Sequence, residues 1–233
     1  MKKLLCFGHR GAAGHAPENT LTSVETAIAL GADWIEIDVY LVDGELVVFH
    51  DARLERTTNG QGYLEKQSLD YLRTLDAGEG ERIPLLREVL ERVDHRVGIN
   101  IELKGAHTAA ATARQLDLYL SASGGNWEQF LISSFNHHEL RLVKQLRPQL
   151  RTGVLIYCLP LDYARMAEAL GAYSIHPSCE FLNRSLVIDA HQRGLKVFPY
   201  TVNDEETLAQ MKALEVDGVF TDYPELVSGV GRG

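Results

Sequence analysis

Cysteine is scarce in this chain. Its three, Cys6, Cys158 and Cys179, lie far apart, and none belongs to a C-x-x-C pair. That excludes a disulfide framework and leaves no zinc-site spacing, so buried free thiols are expected. Long apolar runs are missing too: no stretch approaches the ~20 residues of a membrane-spanning helix. Met1-Lys2-Lys3 followed by Leu4-Leu5-Cys6-Phe7 briefly imitates a secretion signal. Its apolar run falls short of the roughly 7–15 residues such a signal requires. A soluble, cytoplasmic protein without stable membrane association is the expectation. Positive charge is in deficit, with 23 Lys+Arg against 32 Asp+Glu and a net charge of −9. Such a field repels polyanions, which argues against nucleic acid or an anionic membrane as partner. An anionic small substrate would need a local cation.

What is present is an alternation of short β-type runs with helical patterns. Strands are expected at 4–7, 34–42, 97–103, 130–135, 153–157, 173–176, 196–202 and 218–221, and helices at 21–30, 106–120, 137–146, 161–170, 184–193 and 205–214. Asp43-Gly44 signals a hairpin that returns over 45–50. Eight parallel strands with intervening helices describe an α/β protein, a TIM (β/α)8 barrel in one domain over 1–233. A doubly wound open sheet is the alternative. Residues 51–83, rich in Thr, Asn, Gly and charge, break the rhythm. They read as a small insertion over the barrel mouth after the second strand, with a short helix at 68–75.

The chemistry concentrates at strand ends. In Trp34-Ile35-Glu36-Ile37-Asp38-Val39-Tyr40, strand alternation puts Glu36, Asp38 and Tyr40 on one face. Two carboxylates so placed repel each other unless a cation sits between them. The next barrel strand places Glu102 and Lys104 on one face in the same way. Three converging carboxylates suit one hard divalent ion, Mg²⁺ or Ca²⁺, better than zinc. The competing reading is a set of rim salt bridges with Arg10 and Lys104. His9 and His50 each close a strand beside these acids, where imidazole exchanges protons near neutral pH. Arg10 offers a planar donor fork for phosphate oxygens. Together these groups form a kit for phosphoryl transfer.

The ordered motifs resemble those of the glycerophosphodiester phosphodiesterase family. They are His9-Arg10-Gly11, Pro17-Glu18-Asn19-Thr20, Glu36-x-Asp38, His50-Asp51, Thr57-Thr58-Asn59-Gly60, Leu75-Asp76-Ala77-Gly78, Ile83-Pro84-Leu85, Glu102-x-Lys104, Ser133-Ser134-Phe135, Thr201-Val202-Asn203 and 217–224. The resemblance implies a TIM barrel that releases glycerol 3-phosphate and an alcohol from a small glycerophosphodiester. It implies metal ligation by Glu36, Asp38 and Glu102, acid/base work by His9 and His50, and phosphate binding by Arg10 and Lys104. It further implies support of the metal or the first loop by Glu18, and attack by the glycerol 2-hydroxyl. Tyr200 stands where many members have Trp, which implies an altered contact to substrate.

Phe135 and His176 are further candidates for the pocket, with core packing as their alternative. Asp222 and Asn203 read as caps, and His15 is undecided. His95, His107, His137, His138 and His191 read as solvated. A phospholipase D- or C-like barrel acting on lysolipids would call for an exposed apolar lip or a basic patch, and the sequence pattern shows neither. A non-catalytic binding barrel would have lost a histidine or carboxylate, and all five are present.

Overall fold

The computed structural model describes residues 3–231. The first two residues of the signal-like start, and Arg232 and Gly233, lie outside the described residues. One sheet contains β1 (Leu5–Gly8), β2 (Trp34–Val42), β3 (Glu45–Val48), β4 (Gly98–Leu103), β5 (Phe130–Ser134), β6 (Arg151–Ile156), β7 (Ser174–Pro177), β8 (Lys196–Val197) and β9 (Gly218–Thr221). All but β3 pair in parallel, in the order β8-β7-β6-β5-β4-β2-β1-β9, and β3 turns back antiparallel on β2. Backbone hydrogen bonds close the ring between the β8 region and β9. Asp217 N donates to Val197 O at 3.0 Å, Phe220 N to Pro199 O at 3.0 Å, and Val202 N to Phe220 O at 2.8 Å. The protein is a TIM barrel. Strand β8 is shorter than the expected 196–202, because Pro199 has no N–H to continue a ladder.

The helices are α1 (Leu21–Ala29), α2 (Leu69–Leu72), α3 (Leu86–Val93), α4 (Thr108–Ser123), α5 (His137–Leu146), α6 (Arg165–Ala169), α7 (Arg184–Gln192), α8 (Glu205–Ala213) and α9 (Glu225–Ser228). Side-chain oxygens of Thr20, Ser68, Asn136, Asn183 and Asp204 accept backbone N–H groups at five of their starts, so local sequence sets those boundaries. Helix α3 is absent from the expected set. Its buried Leu86, Val89, Leu90 and Val93 nonetheless fall at helical spacing.

Strand β2 shows how the layers arise. Ile35, Ile37 and Val39 are fully buried in the main core between sheet and helices. The alternate residues, Glu36 and Asp38, therefore point into the barrel. Lower in the barrel, Phe198 and Phe220 pack with ring centroids 4.8 Å from Phe7. The polar site rests on this aromatic floor.

Residues 51–83 pack as a small satellite core. Leu54, Leu64, Leu72 and Ile83 are fully buried in one cluster with Tyr40, Val42, Val47 and Phe49 of the β2–β3 hairpin. Each such side chain contributes roughly 1.5–3 kcal/mol of burial, enough to hold the segment against the barrel mouth. The expected short helix appears as α2. Of the cysteines, Cys6 is buried and Cys179 half-buried, but Cys158 is exposed, because it lies in the loop after β6 rather than on a core strand. Nor are all the remote histidines solvated: the half-buried His137 has its Nε2 3.0 Å from Leu155 O, and the half-buried His95 its Nδ1 2.8 Å from Gln129 Oε1.

Candidate active site

Parallel register brings the acids together. Asp38 pairs with Glu102 and Glu36 with Asn100 across β2 and β4, at the C-terminal side of the barrel. Glu36, Asp38 and Glu102 each offer an oxygen within 4.8 Å of the others'. Glu36 and Asp38 are only 3% and 1% exposed. Burial, then repulsion from Asp38 and Glu102, pushes the Glu36 carboxyl well above its ordinary range. Burial, followed by the charge of Asp38, raises Glu102 to about 7. Three acids crowded and buried together stay fully ionised only beside compensating positive charge.

The protein supplies part of that charge. Lys104 Nζ donates to Glu102 Oε1 at 2.9 Å and lies 3.7 Å from Asp38 Oδ1, and Arg10 Nε lies 3.7 Å from Asp38 Oδ2. The rim salt bridges are therefore real, yet they do not satisfy the cluster. Glu36 Oε1 and Asp38 Oδ1 are buried without a hydrogen-bond partner among the described residues. Leaving such acceptors dry and unpaired is costly. An all-oxygen set of this kind fits a hard divalent cation.

The first loop is built to hold these acids in place. Arg10 adopts the left-handed conformation (φ 52°), and its backbone N–H donates to Glu36 Oε2 at 2.8 Å. Gly11 follows at φ 84°, where a Cβ would meet Ser23 Oγ at 2.4 Å, so a side chain is excluded. Asn19 clamps Asp38 from both ends. Its Nδ2 donates to Asp38 Oδ2 at 2.9 Å, and its Oδ1 accepts from Asp38 N at 3.2 Å. Glu18 accepts from Arg10 Nη1 at 2.8 Å and from Arg56 Nη1 and Nη2 at 2.7 Å each. Burial would lower the Arg10 guanidinium, but Asp38, Glu18 and Glu36 together hold it above its ordinary value.

Both histidines carry a carboxylate behind the ring. His9 Nδ1 lies 2.6 Å from Asp222 Oδ1, and His50 Nδ1 lies 2.6 Å from Asp51 Oδ1. Burial would raise the Asp222 carboxyl, but its bond with His9 and the His9 charge hold it below its ordinary range. Arg56, bonded to both Asp51 oxygens, is the main reason that Asp51 is held far below its own. An ionised carboxylate only accepts, so Nδ1 bears the proton in each ring and Nε2 is turned to other work. His50 Nε2 lies 3.2 Å from Lys104 Nζ, which can only donate. Burial, with help from Arg10 and Lys104, lowers the His50 imidazole below its usual value, which favours the neutral ring with Nε2 as an acceptor facing Lys104.

A cleft of about 200 Å³ joins these groups. It is lined by the polar His9, Arg10, Glu36, His50, Glu102 and Lys104 and by the apolar Phe135, Leu155, Tyr200 and Phe220. Asp38 lies just beneath. His176 is placed elsewhere: it is wholly buried, its Nε2 2.8 Å from Ser174 Oγ and its ring against Phe198 and Phe220, and it does not line the cleft. A tightly packed neighbour explains this, since Gly153 leaves no room for a Cβ beside the ring. Asp222 is no cap: it bonds His9 and accepts from Asn203 Nδ2 at 2.5 Å. His15 pairs with Glu225, with its Nε2 2.9 Å from Glu225 Oε1, and does not line the cleft.

Asn19, Asp51, Arg56 and Asp222 thus join the site without having been assigned to it from sequence. Asp51 beside His50, and Asp222 at a strand end, carried a readable signal, since a working imidazole needs an orienting acceptor. Arg56 carried none.

Residues 9–226 match the family model described as the glycerophosphoryl diester phosphodiesterase family. A glycerophosphodiester phosphodiesterase of Caldanaerobacter subterraneus is 39% identical over 99% of this chain and 98% of its own length. One from Bacillus subtilis is 34% identical over 99% of this chain and 87% of its own. Among solved structures, an Oleispira antarctica phosphodiesterase in complex with the product sn-glycerol-3-phosphate superimposes with a TM-score of 0.89, at 34% identity, over 98% of this chain and 97% of that one. Matched along nearly its whole length by model, sequence and fold, this chain belongs to the glycerophosphoryl diester phosphodiesterase family.

Proposed function

We propose that the protein hydrolyses small glycerophosphodiesters to glycerol 3-phosphate and an alcohol, with His9 and His50 as the acid/base pair and one divalent cation, Mg²⁺ or Ca²⁺, held by Glu36, Asp38 and Glu102. The observation that carries this reading is the gathering, in one cleft, of two carboxylate-oriented imidazoles and a buried acid cluster with unpaired oxygens. Bound there, the cation would neutralise charge on the phosphate's non-bridging oxygens.

The remaining roles follow from each residue's surroundings. His50, whose imidazole burial lowers below its usual value, accepts the proton of the attacking oxygen at Nε2 as substrate displaces the Lys104 contact. His9, oriented by Asp222, is the acid that protonates the departing alcohol oxygen. Arg10 and Lys104 remain cationic despite burial, since their acidic neighbours outweigh the desolvation that would neutralise them. They grip the phosphate oxygens. Phe135 and Tyr200 form the wall against which the glycerol carbons rest. The Oleispira antarctica protein, which holds sn-glycerol-3-phosphate, supports the same substrate class here. No helix among the described residues is long and apolar enough to cross a membrane.

The deciding experiment measures glycerol 3-phosphate released from glycerophosphocholine, with EDTA and then with added Mg²⁺ or Ca²⁺. Release that EDTA abolishes and one cation restores is the expected result. Release unaffected by EDTA would remove the metal from the reading, and none with any cation would overturn the reaction itself.

A further inference from the structure

Two neutral side chains of the cleft have no part in the acid/base, phosphate or metal roles. Asn100 lies two residues before Glu102 on β4, so it shares that residue's inward face, and the parallel register sets it level with Glu36. Asn100 is 0% exposed and Ser133, on the neighbouring β5, 1%, yet both line the cleft. Asn100 Nδ2 donates to Ser133 Oγ at 2.8 Å. That bond leaves the other end of the amide unmatched: Asn100 Oδ1 is buried without a hydrogen-bond partner among the described residues. Ser133 Oγ, accepting from the amide, keeps its own proton to give. A buried amide oxygen left unpaired is costly, and beside a binding cleft it points to a partner that arrives from outside.

Resting on the reading of the cleft as a phosphodiester site, we propose that the Asn100–Ser133 pair receives the terminal hydroxyl of the substrate's glycerol and so selects diesters in which that hydroxyl is free. The pair offers one acceptor and one donor and carries no charge. A phosphodiester oxygen has no proton for Asn100 Oδ1, and an ammonium has no acceptor for Ser133 Oγ. A hydroxyl answers both at once. Of the two free hydroxyls on the glycerol, the terminal one reaches furthest from the phosphate. Asn100 is likewise remote from the groups that hold the phosphate: it lies two residues, about 7 Å of strand, deeper in the barrel than Glu102, and Lys104 lies two residues further toward the mouth. The 2-hydroxyl, next to the phosphate-bearing carbon, stays among the charged groups. Arg10 and Lys104 then read the phosphate, and the neutral pair reads the end of the glycerol.

The test compares kcat/KM, with the divalent cation present, for glycerophosphocholine and for 2-hydroxypropyl phosphocholine. The second compound keeps the 2-hydroxyl, the phosphate and the choline and lacks only the terminal hydroxyl. The wild type should prefer glycerophosphocholine by about 10–100-fold, because the deoxy compound leaves a buried polar pair unmatched. In Ser133→Ala and in Asn100→Leu that preference disappears; the first is the smaller change and serves if the second does not fold. Calorimetric titration with glycerol 3-phosphate and with 2-hydroxypropyl phosphate should show the same contrast without turnover. Equal kcat/KM for the two diesters in the wild type overturns the proposal, and the pair then holds no more than a water. A preference unchanged in either variant, once its melt shows it folded, overturns it too. Weaker cation binding in Asn100→Leu with the preference intact would hand the amide oxygen to the metal instead. Turnover of both diesters alike sinks only this assignment; turnover of neither sinks the hydrolase reading with it.

Discussion

The two arcs of the barrel mouth are built from different physics. On the arc of β1, β2 and β4, charged side chains fix one another through short hydrogen bonds: Arg56 to Glu18 and Asp51, Asn19 to Asp38, Asp222 to His9. On the arc of β5 to β8, aromatic rings meet edge-on and few polar contacts intervene. The first arc is pre-organised for charge that develops during reaction, and such charge cannot wait for side chains to reorient. The second tolerates variation, because apolar contact is non-directional. Substitutions on the charged arc should therefore strike turnover, and those on the aromatic arc should strike substrate preference or stability.

The largest effect is expected from His50→Ala or His9→Ala. Each should lower kcat by roughly 10²–10⁴-fold, with the melting temperature nearly unchanged; near-native turnover in both variants would remove them from the chemistry. Next comes Asn19→Ala, which leaves the three carboxylates proposed to hold the metal in place but frees Asp38 to swing. Loss of an outer partner of this type typically costs 10–100-fold in metal affinity. Titration of activity with cation should show that rise, with kcat recovered at saturation.

How much of this arc was legible in the sequence depended on distance along the chain. Glu36 with Asp38, and Glu102 with Lys104, were readable because a strand's period of two holds without tertiary knowledge. His9 and His50 were readable from their place at strand ends. The His9–Asp222 bond spans 213 residues of sequence, and only barrel closure reveals it. Arg56 sits in an irregular segment whose pattern says nothing of where its guanidinium reaches. The stripe Leu86, Val89, Leu90 and Val93 was open to reading, but the irregular stretch before it masks where helical spacing resumes.

On the aromatic side, His176 offers a sharper probe through pH. Burial lowers its imidazole from 6.5 to about 3, so the unfolded chain binds a proton that the folded chain refuses. Stability is complete above about pH 6.5 and is lost as pH falls toward about 3. At about pH 5 the loss is about 2 kcal/mol, at 1.36 kcal/mol per pKa unit. Urea unfolding at neutral pH and near pH 5 should show that much greater loss in the wild type than in His176→Asn; parallel losses would mean that the ring is not held neutral. The smallest effect belongs to Tyr200→Phe, which removes only the bond to Ile156 O. About 1 kcal/mol of stability should go, with kcat within about twofold of wild type; a collapse of kcat would move Tyr200 to the reacting side.

The pairing of His9 with Asp222 also sets an order of events. The first strand carries an imidazole whose orienting carboxylate lies at the far end of the chain, just past the strand that closes the ring on β1. During synthesis, which delivers residues one after another, the acid cluster and His50 can assemble while His9 still lacks its partner. A nascent or C-terminally clipped barrel could therefore be compact and still inert. With His9 in its proposed role, catalytic competence awaits the docking of β9 on β1 and not only the formation of the core.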